Sequence, residues 1–161
     1  MSKARVIGGH LKIAFENLVS AKRIGMDRRD SVLMIFYAVE NIVLATFIAE
    51  EIDLQAVRAR KGRNHHLDML VDELPAECPI KERLLDISAI SEFSTTYRYP
   101  LSTGKVKAGP GEQQTKAWFI EASEILQALV RHFQVNIKED DPIAAKTGPF
   151  RDVDPREGLS L

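Results

Sequence analysis

"SVLMIFYAVENIVLATFIAEEI", residues 31–52, decides the fold. The stretch is apolar on nearly every side, a pattern that suits a helix surrounded by other helices. About 20 residues at 1.5 Å each make a rod of ~30 Å, long enough to cross a small domain. It therefore predicts the central, most buried helix of the protein. Glu40 and Asn41 interrupt the run, so no stretch reaches the roughly 18 uninterrupted apolar residues of a membrane span. A carboxylate in the middle of such a helix needs a hydrogen-bonding partner. Glu40 is thus expected to face Arg98 or a histidine, either as a structural anchor or as part of a site.

Outward from this helix the apolar spacing stays helical. Toward the N-terminus, Ile7, Leu11, Ala14, Leu18 and Ala21 recur at intervals of three and four, one face of a helix over about residues 6–22. "RIGMDRRD" interrupts it, with Gly25 as the stop and Asp30 or Ser31 as the cap of the central helix. Toward the C-terminus, "DLQAVRARKGRN" holds at most a short helical turn before Gly62. A third helix is expected over about 64–74, with Leu67, Leu70, Val71 and Leu74 inward. A fourth starts near Ile80, presents Leu84, Leu85, Ile87, Ile90 and Phe93, and ends before Pro100, which disfavours helical geometry at Tyr99. "LSTGKVKAGPGE" is a loop. A fifth helix over about 112–134 turns Trp118, Ala122, Ile125, Leu129, Val130 and Phe133 inward. No internal repeat and no strand-like alternation occurs. The expectation is an all-α, antiparallel bundle of four to five helices over residues 1–136, followed at 137–161 by an irregular tail, disordered or draped over the body.

Composition narrows the function classes. The 161-residue chain has a formal charge of −1 and one cysteine, Cys78. A chain of this length buries about two-thirds of its unfolded surface as one domain. Near-neutral charge gives no global attraction to nucleic acid or anionic membrane, so any such attraction is local. A single cysteine allows no internal disulfide framework and no cysteine-rich zinc site, which fits a reducing cytoplasm. His65 and His66 are adjacent and cannot share an ion in the i, i+4 helical manner, so no metal is expected, nor any cofactor. "GPGE" lacks the lysine and the preceding strand of a phosphate-cradling P-loop.

Three stretches carry chemistry. In "RARKGRNHHLDML", Arg58, Arg60, Lys61 and Arg63 crowd beside His65 and His66, a local patch complementary to phosphate. Arg60 with His65 also supplies the minimum for metal-free RNA cleavage: a cation for the phosphorane and an imidazole for the proton. "YAVEN" holds Glu40. In "TTYRYP", residues 95–100, Tyr97 and Tyr99 flank Arg98, an arrangement that presents a cation for phosphate and rings for a stacked base. Each stretch also has a plain reading as a solvated loop, a buried anchor or a helix terminus.

Taken in order, Ala38–Glu40, His65–His66–Leu67 and Arg98–Tyr99–Pro100 resemble the motifs of the HEPN (higher eukaryotes and prokaryotes nucleotide-binding) domain family over about residues 8–135. Leu44, His66 and Leu101 depart from residue types common in that family, and Leu67 stands where its RNA-cleaving branch often has tyrosine. The resemblance implies a helical bundle that pairs as a homodimer. It also implies a nucleotide- or RNA-binding cleft and, as a partner, a minimal nucleotidyltransferase in a toxin–antitoxin pair or two-part enzyme. The leading expectation is a module holding a nucleotide or RNA phosphate near Arg60, Arg63, His65, His66, Arg98 and Tyr99. The alternatives are a metal-independent endoribonuclease using Arg60 and His65, and a helical protein-interaction adaptor.

Overall fold

The computed structural model describes residues 2–62 and 66–151. Its elements are α1 (Lys3–Ile24), α2 (Arg29–Ala49), α3 (Leu54–Lys61), α4 (Leu67–Val71), α5 (Lys81–Ile87), a 3-10 turn (Ser88–Glu92), α6 (Phe93–Thr96) and α7 (Glu112–Phe133). No strand occurs among the described residues. The fold is an all-α helical bundle.

α1 and α2 are joined through only residues 25–28 and pack along each other, so they form an antiparallel hairpin. α7 packs against both. Ile7, Leu11, Ala14, Leu18 and Ala21 of α1 are all buried, as their spacing predicts. α2 buries residues on most of its circumference, including Ile35, Phe36, Ile42, Val43 and Phe47. By length and composition α2 is also apolar enough to cross a membrane, but 61% of that window is buried inside the bundle, where it serves as the core helix. The N-cap of α2 falls two residues before Asp30 and three before Ser31, the expected caps. Arg28 is its N-cap residue, and the Ser31 hydroxyl donates to the Arg28 carbonyl at 2.6 Å.

The middle of the chain is more broken than its apolar spacing suggests. The expected third helix reduces to the five residues of α4, and residues 63–65 lie outside the described residues. The expected fourth helix is α5, a 3-10 turn and α6 in succession. Serine hydroxyls explain the break, because they offer carbonyls and amides an alternative to the helical ladder. Ser88 donates to the Leu85 carbonyl at 2.6 Å and Ser94 to the Ser91 carbonyl at 2.8 Å. The Ser91 hydroxyl accepts from the Leu67 amide at 2.9 Å, tying this turn to the start of α4. Arg83 then pins α5 to α7 by bonds to Glu121 and Glu124 at 2.5 and 2.8 Å.

Residues 137–151 run without helix against the bundle. The Ala144 amide donates to the Ala4 carbonyl at 3.1 Å, and the Ala145 and Lys146 amides to the Phe133 carbonyl at 3.0 and 3.1 Å. Gly8 makes the close approach to α1 possible, since a Cβ there would occupy the place of the Pro142 carbonyl. Phe150 is buried against His132, and Arg151 forms a two-pronged ion pair with Glu50 at the end of α2.

Candidate functional site

Arg98 follows α6, just after the buried Tyr97. Its guanidinium donates to the hydroxyl of Tyr37 and lies over that ring, 5.4 Å from the centroid. Tyr37 comes from the face of α2 that the bundle leaves half-covered, the stripe of Leu33, Tyr37, Asn41, Leu44 and Ile48. That stripe is fixed in turn: His10 Nδ1 bonds Asn41 Oδ1 at 2.8 Å, and Asn41 donates to the Tyr37 carbonyl at 2.9 Å. Tyr99 is 67% exposed, with Pro100 exposed beside it. The result is a cation held on a ring, with a second ring free to stack. Glu40 is half-buried one turn beyond Tyr37. The structure thus gives Arg98 a tyrosine partner. Within "YAVEN", Tyr37 supplies that partner.

The cation-rich stretch behaves differently. α3 is capped by Asp53, whose carboxylate accepts from the Gln55 and Ala56 amides. Arg60 and Lys61 fall in its last turn and turn toward α4. Lys61 contacts Glu73 at 3.1 Å and Asp72 at 3.5 Å, while Arg60 contacts Glu73 at 3.3 Å. The hydrogen bond from Lys61 holds the Glu73 carboxyl below the usual glutamate range; burial opposes it and Arg60 adds to it. Lys61 is raised in return, first by its bond to Glu73. Because Glu73 is depressed in the folded state, its contribution to stability is present above the unfolded pKa and is lost as pH falls through the folded one. An NMR titration of the Glu73 carboxyl should give a midpoint below ordinary glutamate that rises in Lys61→Ala. An unchanged midpoint in that variant would show that the pair does not form in solution.

His66 is exposed as the N-cap residue of α4, its carbonyl accepting from the Met69 amide at 3.2 Å and its ring making no capping bond. Arg63 and His65 lie outside the described residues. The Leu67–Ser91 bond joins the start of α4 to the turn that leads into α6 and Arg98. Two surface cavities, of about 290 and 650 Å³, are lined by neither Arg60, His66 nor Arg98. The smaller lies between the starts of α2 and α7, the larger between α1 and α7. Among the described residues, no three His, Cys, Asp or Glu side chains gather to hold a metal ion.

No family model, curated protein or solved structure matches the chain.

Proposed function

We propose that this protein is a nucleotide- or RNA-phosphate-binding module whose contact surface is centred on Arg98. The observation that carries the reading is the Arg98–Tyr37 pair beside the exposed ring of Tyr99. A guanidinium bonds phosphate oxygens through a planar fork, and its seat on Tyr37 limits the freedom it loses on binding. Tyr99 supplies a face on which any base stacks. His66 and Arg60 are exposed and are further phosphate contacts in this proposal. Arg60's side chain is 61% exposed and Lys61 also pairs with the same Glu73, so phosphate can compete for Arg60.

The half-covered stripe of α2 supports pairing of two copies, which would bring two Arg98–Tyr37 pairs toward one cleft. The HEPN resemblance supports the same assembly and adds a minimal nucleotidyltransferase as the protein partner. Titration of labelled nucleotides and single-stranded RNA, in EDTA and at low and raised salt, tests the binding. Saturable binding that weakens with salt is expected, since phosphate contacts release counterions. A folded protein that binds neither ligand at either salt refutes the module. Sedimentation equilibrium on the same sample should show a dimer, and a monomer at every concentration contradicts the pairing.

A further inference from the structure

The start of α2 and the start of α7 meet at one place. Arg28 and Arg29, the N-cap and first residues of α2, line the cavity of about 290 Å³ together with Gly111 and Glu112, the same positions of α7. Both helices exceed 20 residues, and neither has a side-chain cap. Uncapped first-turn amides leave each long helix with a partial positive charge at this end.

Tyr97 adds an independent observation. It is 7% exposed and lines the cavity. Its hydroxyl has no hydrogen-bond partner among the described residues, although every side-chain polar atom sealed from solvent there has one. The hydroxyl therefore opens onto the cavity. It lies against Gly109, where a Cβ would occupy its place. Arg29 is stacked over the Tyr97 ring at 4.3 Å and donates to the Lys107 carbonyl at 3.2 Å, which fixes both groups. Burial pushes the Tyr97 hydroxyl up, with Arg29 and Lys107 opposing; it keeps its proton and can donate. Two carboxylates also line the cavity, Asp27 and Glu112, the latter paired with Lys116 at 3.2 Å. Against these stand both arginines and both helix ends, with Asp30 in the first turn of α2 outside the lining.

We propose that this cavity binds a phosphate ion or a small phosphate monoester, held by Arg28, Arg29, the Tyr97 hydroxyl and the first amides of α2 and α7. Residues from two helix starts and a phenol line it together, a donor set that complements an oxyanion with several lone pairs. The site does not depend on the Arg98 surface: its probes are small anions, and Arg98→Ala should leave it intact.

The test is a titration of the full chain with inorganic phosphate, then with glycerol 3-phosphate, followed by ¹H–¹⁵N amide spectra and thermal melting. Saturating shifts at Arg29, Gly111 and Glu112 are expected. Glycerol 3-phosphate binding more tightly than phosphate assigns the monoester, and equal or weaker binding assigns the free ion. Tyr97→Phe should melt as the wild type does without phosphate, since no internal bond is lost. It should bind phosphate roughly ten-fold more weakly. Arg28→Gln, an exposed position, should weaken binding in the same direction. Amides that do not shift, or unchanged phosphate affinity in Arg28→Gln, would overturn the site. A large drop in the melting temperature of Tyr97→Phe would also overturn it, by making the hydroxyl structural.

Discussion

Phe150→Ala lowers the unfolding free energy by about 3–5 kcal/mol, the usual range for removing a fully buried phenylalanine. For a chain of this length that is a fall in Tm on the order of 10 °C. The side chain is 1% exposed and meets the His132 ring edge-on, with the Arg151–Glu50 pair next to it. Glu50 is only 6% exposed at its side chain, so loosening the segment also strips a carboxylate of its cation. Gly8→Val acts at the other end of the same segment by driving a side chain into Pro142, an overpacking loss of about 1–3 kcal/mol. Because both variants release one segment, their combined effect should fall short of additive. Thermal and urea melts of the three variants check this. A Phe150→Ala protein melting within about 2 °C of wild type would mean that residues 137–151 are not docked in solution.

Arg98→Ala should weaken binding of single-stranded RNA by about ten-fold, the worth of one charge-assisted hydrogen bond. The salt dependence should fall with it, by about 0.7 in the logarithmic slope for each phosphate contact removed. Arg98 is exposed, so the variant should keep its stability to within about 0.5 kcal/mol. Arg98→Lys keeps the charge but loses the fork and the stacking, and should recover only part of the affinity. Tyr37→Phe keeps the ring under the guanidinium and removes the hydroxyl that orients it, so its loss should be smaller than that of Arg98→Ala. Fluorescence anisotropy at two salt concentrations measures all three. Equal affinity of Arg98→Ala and wild type at low salt would remove Arg98 from the contact surface.

The long helices were legible because periodicity over many residues leaves little choice. α1, α2 and α7 follow from apolar spacing, and the central place of α2 follows from its being apolar all round. The short elements were not legible in the same way. Leu84, Ile87, Ile90 and Phe93 keep helical spacing through residues 84–93, yet Ser88, Ser91 and Ser94 divert the backbone into a 3-10 turn. Side-chain competition of that kind is local and leaves no mark on the apolar period. Residues 137–151 read as an irregular tail that could drape over the body, but the contacts that anchor them escaped for the opposite reason. Their anchors, Ala144, Phe150 and Arg151, are single contacts with no period, and Gly8 reads as an ordinary helical glycine until Pro142 is placed against it.

The candidate site divides along similar lines. Arg98 and Tyr99 were visible in "TTYRYP", but the partner of Arg98 depends on how α6 meets α2, which spacing does not encode. The cations of "RARKGRN" looked like one patch in the chain. In space Arg60 and Lys61 meet Glu73, which is supplied from beyond α4. The starts of α2 and α7 are distant in sequence, and only packing brings "DRRD" beside "GPGE".

The most direct measurement of the binding reading is a residue-resolved map of the protein with a short single-stranded RNA, from ¹H–¹⁵N amide shifts and side-chain guanidinium resonances. The largest changes are predicted at Tyr37, Arg98 and Tyr99, with His66 and Arg60 next. A map centred on another face, with Arg98 unmoved at saturation, would contradict the account.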